Sequence, residues 1–508
     1  MHRPSSAEAE VAAELADARP ELASRYAAEL PAARAAVLTR LWRALAHEPL
    51  PWIARRDPGR EGLTLRLSDG RRLHGPHADP YATDPYTTAV RLDRTSYGDP
   101  ARLLTDLRVP HGSAFATELA HSVASLALSR AGQGAHPEGW PARDWEWEQR
   151  VVDGHPFHPN CRSRPGFSAA EQLAYSPEHR PVVTLGVVPV RADECLVTGR
   201  WPEAMRDRTR DGERLLIPVH PWQAEHVLKR PCDPAGDGIA AHPLMSLRTL
   251  ALPGGPHVKT ALSARLTSSV RDISVYSIGL SATLSDFAEE LAARLGGLLH
   301  VTRTLGAATA NSPDLAAVLR ESPQEYAGPG ERVVPVAALA TTELPRSPAW
   351  SAGFTRLALT VGLRLLELGV ALEAHGQNLL VVLSADGAPV RLVYRDLADI
   401  RVSPARLARH GIPVPELTGR IVTDDVPTLR RKLFGSLVAG SLAGTAGSGT
   451  ALRGALEAAV RDLPETVDLA ALRGEALPTK ALTLMRLSPG TPGDQWAELP
   501  NPLVAEAF

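Results

Sequence analysis

Two groups of polar residues in this 508-residue chain have the types and spacing that chemistry needs. The first is Glu373, His375, Gln377 and Asn378, set between two apolar segments, with Arg395 and Asp396 a short way beyond. Asn378 and Asp396 can supply hard oxygen ligands to Mg²⁺ while His375 meets an anion, a layout able to hold a nucleoside triphosphate. Taken singly, each residue could do no more than cap or turn the chain; gathered between core segments, they point to a site.

The second group is cationic and hydroxylic: Arg162, Arg164, Ser246, Arg248, Lys259, Thr267, Ser268 and Arg271. Lysine and arginine set charge against phosphate or carboxylate, arginine in bidentate fashion, and hydroxyls complete a cradle. Arginines on a solvated face are an equal alternative for Arg162 and Arg164. That alternative is weaker for Lys259 and Arg271, which are flanked by apolar strand and hydroxyl residues. His155 and His158 have a spacing seen in metal sites, yet each precedes proline, which forbids one regular helix carrying both. With no third ligand nearby, hydrogen bonding to an anion is the preferred reading. His220, before Pro221 and Trp222, can equally be a packed structural residue.

The elements that must position these groups are legible around them. Apolar residues from about Phe354 to Leu372 predict a largely buried helix, followed by the polar loop. Leu379 to Leu383 and Val390 to Tyr394, joined across Ala385-Asp386-Gly387, predict a hairpin with Arg395-Asp396 at its exit. Upstream, VVTLGVVPVRA, ERLLIPVHPWQ and Val258 to Ala261 read as strands, and Ser263 to Ile273 as loop passing into a helix. Residues 5 to 48 have helical periodicity cut by Pro20 and Pro31. Short alternating runs from Trp52 to Leu92 and helix from about Asp99 to Arg130 complete an α-rich first region with one small sheet. A Pro/Gly/Ser-rich connection is expected around Ser322 to Trp350, and a flexible loop between Gly444 and Gly454.

Bulk properties bound the function. A chain of this length is expected to form two or three domains. Apolar residues at 44% and charged residues at 22% are those of a soluble globular protein. A net charge of −2 argues against nucleic acid as the main partner. Three widely spaced cysteines, Cys161, Cys195 and Cys232, suggest neither a disulfide framework nor a zinc or iron–sulfur site. No apolar signal core and no uncharged span of about 20 apolar residues are found, so no membrane role is expected and a reducing cytoplasm is the simplest location.

Seven ordered blocks carry a resemblance: GHPFHPNCRSRPG, HPWQ, SLRT, Lys259 with TSSVR, EAHGQN, Arg395-Asp396 and KALTLMRL with NPL. From about residue 150 onward the chain resembles the NRPS-independent siderophore synthetases of the IucA/IucC, or aerobactin-synthetase, type. The resemblance implies an α+β fold of cupped-hand form: a helical thumb over 1–148, β-rich fingers over 149–345 that bind ATP phosphates, and a loosely kinase-like palm over 346–508. It implies ATP- and Mg²⁺-dependent condensation of a carboxylate, citrate or a citryl or succinyl derivative, with an amine or alcohol. The route is an acyl-adenylate, with release of AMP and pyrophosphate. By motif, His155, Arg162, Ser163, Arg164, Ser246, Arg248, Lys259, Thr267, Ser268, Arg271, Gln377 and Asn378 would bind nucleotide. Glu373, Asn378 and Asp396 would hold Mg²⁺; Arg271 and His375 would meet the carboxylate, with Lys259 as the third catalytic group. Family members usually carry Lys where Arg162 stands, and many are longer, which leaves the substrate pair unspecified and a homodimer among the open options. Two rivals are a kinase, against which the lack of a glycine-rich loop, HRD and DFG argues, and a ferric-siderophore binding or reducing protein. A reductase of that kind needs four C-terminal cysteines, and none lies beyond Cys232.

Overall fold

The structure, a computed structural model, describes residues 6–134, 139–210, 212–230, 238–266 and 269–504. It is a mixed helix-and-sheet fold. The N-terminal helix Ala7–Ala18 is capped by Ser6, whose side chain accepts from Ala9 N. Pro20 ends it as expected, but Pro31 makes no break in the next helix: Ala23–His47 is continuous, with Pro31 inside. Pro31 is on the exposed side, where the carbonyl it leaves unbonded can be solvated. The C-terminal half of this helix, from Ala36 to Ala46, is buried throughout. Against it lie the helix Gly112–Ala131 and a five-stranded antiparallel meander running in chain order from Ile53–Gly59 to Thr95–Tyr97.

The middle of the chain builds a nine-stranded sheet in which His257–Thr260 is held between Thr249–Ala251 and Leu315–Arg320. Register decides which side chains share a face. Lys259 stands opposite Val318, so Arg320, two residues on, projects from the same face. The segment expected as loop and helix from Ser263 differs: Leu262–Leu266 and Ser269–Arg271 pair as a two-stranded hairpin. The alternation of Leu262, Ala264 and Leu266, all buried, outweighs its hydroxyl content. Helix begins only at Val275, after the cap Ser274.

In the last part, Leu379–Leu383 and Pro389–Tyr394 form the expected hairpin. Arg332–Pro335 adds to one edge, so the expected Ser322–Trp350 connection contains a core strand. Leu299–Val301 adds to the other edge in parallel, which ties the middle of the chain to its end. The preceding helix is Pro348–Leu368, ending four residues earlier than its apolar pattern suggested because Gly369 turns left-handed at φ +113°. A Cβ there would come 2.9 Å from Ser403 O. Gly444 to Gly454 is not a loop: Ala443–Ala446 and Gly449–Val460 are helical, the second capped by Ser448. Among the described residues no helix is long and apolar enough to cross a membrane.

Phe354, 1% exposed and stacked on Trp350, sits in the largest apolar cluster. Phe354→Ala is expected to lower unfolding free energy by about 3–5 kcal/mol, read as a lower midpoint in urea denaturation.

Candidate functional site

The nine-stranded sheet and the C-terminal hairpin meet at one ion pair. Lys259 Nζ lies 2.9 and 2.8 Å from the two carboxylate oxygens of Asp396. Asp396 has left-handed backbone, φ +74°, an uncommon conformation for a side-chain-bearing residue, directly where the hairpin ends. Arg248 approaches from the turn before Thr249–Ala251. Its Nη1 donates to Arg271 O at 2.8 Å and Asp272 O at 2.6 Å, pinning the chain that leads into helix Val275–Ala293. Arg320 joins from the neighbouring strand.

The electrostatics follow from this crowding. Burial would raise the Asp396 carboxyl, but Lys259, Arg320 and Arg248 outweigh it and hold the group far below the usual carboxylate range. Burial is the largest influence on Lys259 and, with Arg248 and Arg320 beside it, brings the ammonium down to about 8 in spite of Asp396. Burial likewise lowers Arg271, which feels Asp396 and Glu373, and His375, which feels Glu373, Lys480, Asp396 and Arg271. Arg248, Arg271, His375 and Asp396 are nevertheless only half-buried and His155 is exposed. Polar groups that are packed among protein atoms yet open to water can line a cleft that admits a ligand.

The polar loop is held from three sides. His375 O accepts from Asn378 N and Leu379 N. Gly376 packs so closely on the short helix Val336–Leu339 that a Cβ would sit 3.0 Å from Ala337 N. A π-helical stretch, Phe434–Leu442, supplies Ser436, which accepts from Ala374 N at 2.9 Å, and Ser441, which donates to Ala374 O at 2.6 Å. Arg395 Nε donates to Gln377 O at 2.9 Å and its backbone N to Asn378 O at 3.0 Å. Glu373 accepts from Lys432 at 3.2 Å and Lys480 at 3.0 Å, and these cations keep its carboxyl low although burial alone would raise it.

His155 belongs with this group, feeling the charges of His158 and His375. Its Nδ1 accepts from Phe157 N and His158 N, which leaves Nε2 as the donor. His158 is buried and bonded the same way to Asn160 N. Ser246 Oγ accepts from Thr249 N at 3.1 Å, closing the turn that carries Arg248. Arg162, Ser163 and Arg164 are placed differently from a phosphate cradle: they are buried in the wall, 6%, 3% and 3% exposed. Arg164 Nη2 lies 2.8 Å from Glu178 and Arg162 Nη1 3.6 Å from it. Arg162 also donates to Val151 O and Val152 O. His220 caps the helix Pro221–His226 through Trp222 N and is structural. Thr267 and Ser268 lie outside the described residues.

Sequence reasoning missed Arg320, Lys432 and Glu148. Arg320 ends an apolar strand and is placed only by its register with His257–Thr260; Lys432 sits in a basic run, Arg430 to Lys432, that reads as solvated. Glu148 in Asp144-Trp-Glu-Trp-Glu reads as a surface acid, although its spacing from Asp144 puts both carboxylates on one helical face.

The donor set suits a hard divalent cation. Asp396 and Asn378 offer oxygen, as Mg²⁺ prefers, whereas Glu373 already serves two ammonium groups. Among the described residues the one tight group of metal-type ligands, Glu171, Glu225 and His226, is elsewhere, and its Glu171 caps the Ser168 helix end.

A fold that unites a β-rich cationic wall with an acid-bearing hairpin defines a class with solved members. The structure matches the petrobactin biosynthesis protein AsbB of Bacillus anthracis at TM-score 0.75 and 18% identity, covering 95% of this chain and 98% of that one. It matches ATP-bound aerobactin synthetase IucA of Klebsiella pneumoniae at TM-score 0.70 and 20% identity, covering 93% and 99%. In sequence, residues 144–341 match the model described as IucA / IucC family. Residues 348–492 match the one described as ferric iron reductase FhuF-like transporter. A citryl-spermidine/3,4-dihydroxybenzoyl-citryl-spermidine:spermidine ligase of Bacillus anthracis is 27% identical over 309 residues, 49% of this chain and 50% of that protein. The chain thus resembles the IucA / IucC family, whose model covers residues 144–341. In these sequence matches it spans about half the length of its relatives.

Proposed function

We propose that the protein is an ATP-dependent, AMP-forming ligase of siderophore biosynthesis. It joins a carboxylate, citrate or a citryl or succinyl derivative, to an amine or alcohol. The observation that carries this is the Lys259–Asp396 pair with its surroundings. The cations Lys259, Arg248, Arg271, Arg320 and Arg395 outnumber the carboxylates Asp396, Glu148 and Asp272 beside them, and a cleft with surplus positive charge is built for an anionic ligand. Named relatives act on citryl and amine compounds and a structural neighbour holds ATP, which supports the same reading.

Adenylation brings two anions together, a carboxylate and a triphosphate. Lys259, Arg248 and Arg271 offset their repulsion and stabilise charge building at the α-phosphorus. Mg²⁺, held by Asp396 and Asn378 with Glu373 alongside, would neutralise phosphate charge. His155 donates Nε2–H to a phosphate oxygen, and His375 with Arg271 orients the carboxylate. The amine then attacks the acyl-adenylate carbonyl and AMP leaves; positioning supplies much of the remaining barrier reduction, and no covalent nucleophile is required. In this reading Arg162, Ser163 and Arg164 shape the wall that presents His155.

The regions 1–148, 149–345 and 346–508 then serve as thumb, fingers and palm around the cleft, in a cytoplasmic enzyme. Reductase chemistry is suggested by the FhuF-like match, but an iron–sulfur centre takes four cysteine ligands and the matched segment contains none. The test is a pyrophosphate-release screen crossing citrate, succinate derivatives and 2-oxoglutarate with diamines and hydroxamates. AMP with pyrophosphate is expected; ADP together with a phosphorylated product would make the protein a kinase.

The Lys259 ammonium gives a pH prediction with two opposite signs. Its value in the fold, about 8, is below the ordinary 10.5, so between the two the unfolded chain binds more protons and stability contributed by this group rises with pH. ATP binding should do the reverse, weakening as pH rises through about 8 while Lys259 loses its charge. Calorimetric titration with MgATP and thermal melts across pH 7–10 check both limbs.

A further inference from the structure

One carboxylate touches both halves of the cleft. Glu148 lies at the end of the short helix Asp144–Glu148, 1% exposed. Its Oε2 accepts from Met245 N at 2.8 Å, in the turn that carries Ser246 and Arg248. Its Oε1 lies 2.7 Å from Arg395 Nη1, and that guanidinium in turn holds Gln377 O. At the other end of the helix, Asp144 accepts from His257 Nε2 at 2.7 Å and Ser322 Oγ at 3.0 Å. The helix is thereby fastened to the strand that bears Lys259.

We propose that Glu148 is a positioning residue: by pairing with Arg395 and sharing Arg320 it limits the positive charge that Asp396 must offset, and so reserves Asp396 for Lys259 and a magnesium–nucleotide. The inference rests on the ligase reading above. Its physical core is charge accounting in a crowded space. Arg320 sits where Glu148 and Asp396 are the neighbouring anions and Arg395 is a neighbouring cation, and Arg395 is itself paired with Glu148. A buried guanidinium that loses its partner takes the nearest other carboxylate or is left uncompensated at large cost. With Glu148 neutral, Arg395 and Arg320 have one anion fewer between them and Arg320 leans more heavily on Asp396; each cation that Asp396 must offset leaves less negative charge for Mg²⁺. At the same time the tie between the Arg248 turn and the polar loop is halved, because a glutamine can still accept from Met245 N but cannot neutralise Arg395.

The experiment is calorimetric titration of the full chain with ATP at several Mg²⁺ concentrations and no carboxylate present. For Glu148→Gln the expected result is a Kd for MgATP raised about tenfold, with half-saturation requiring more Mg²⁺ than in the parent. A role in packing alone would lower the melting temperature without moving the Mg²⁺ requirement. If Glu148→Gln does not give a cooperative melt, Arg395→Lys carries the test: it keeps a cation but cannot span Glu148 and Gln377 O together, and the same rise in Kd and Mg²⁺ requirement is expected. Parent-like values in the folded Glu148→Gln protein, or in Arg395→Lys where it stands in, overturn this inference alone. A parent chain that binds no MgATP overturns the ligase reading and this inference with it.

Discussion

Lys259→Ala is expected to reduce carboxylate-dependent pyrophosphate release about a thousandfold, a loss of ~4 kcal/mol of transition-state stabilisation, while the protein stays folded. The size follows from position. Lys259 is 8% exposed, so its charge acts across little water, where one cation is worth far more than at a surface. Folding is spared because the strand's backbone pairs with Thr249–Ala251 and Leu315–Arg320, and because Asp396 keeps Arg320 and Arg248 nearby. Lys259→Arg should rescue little: the ammonium meets both Asp396 oxygens at 2.8–2.9 Å, and a longer planar fork cannot hold that point contact and a phosphate together. Steady-state assay of pyrophosphate with citrate as the acid, beside circular dichroism of each variant, makes the comparison. A folded Lys259→Ala protein with more than about a tenth of parental activity would remove this residue from the chemistry.

What was legible in the sequence is what local pattern controls. The hairpin 379–394, with Asp386-Gly387 in its turn, and the strand bearing Lys259 both declare themselves by period and turn residues. The polar loop is legible too, because Glu373 to Asn378 interrupt an apolar run. What was not legible depends on partners distant in the chain. Ser263 to Arg271 has the composition of a loop, and only pairing between Leu262–Leu266 and Ser269–Arg271 makes it a hairpin. Arg332–Pro335 lies in a proline- and glycine-rich stretch and becomes a strand because Leu379–Leu383 offers it an edge. Pro31 argues for a break until its exposed setting is known. Arg162 and Arg164 look like anion binders until Glu178, with Ser129 donating to it at 2.6 Å, is found between them. In each case charge or propensity gives the residue's capability, and a contact far along the chain decides its use.

Arg271→Ala and His375→Ala should each lower the same activity about a hundredfold, ~2.7 kcal/mol apiece, but through a different ligand than Lys259. Arg271 ends the hairpin strand Ser269–Arg271 and, among the described residues, spends little of its donor capacity on the protein, with one long contact from Nη2 to Leu266 O at 3.4 Å. His375 stands at the head of the polar loop, its ring within the fields of Glu373, Asp396 and Arg271. Two such donors within each other's field suit a carboxylate better than a phosphate that Lys259 and Arg248 would meet in the proposed reaction. The loss should therefore appear as a higher KM for citrate together with lower kcat, while the Kd for MgATP measured without acid moves less than threefold or so. Because both residues would grip one substrate group, the double variant should lose less than the ten-thousandfold that independent effects would give. Full additivity, or a MgATP Kd that rises as steeply as the citrate KM, would instead assign Arg271 and His375 to the nucleotide, and the acid would have to be sought on the Glu373 side of the cleft, where Lys432 and Lys480 are the cations in reach.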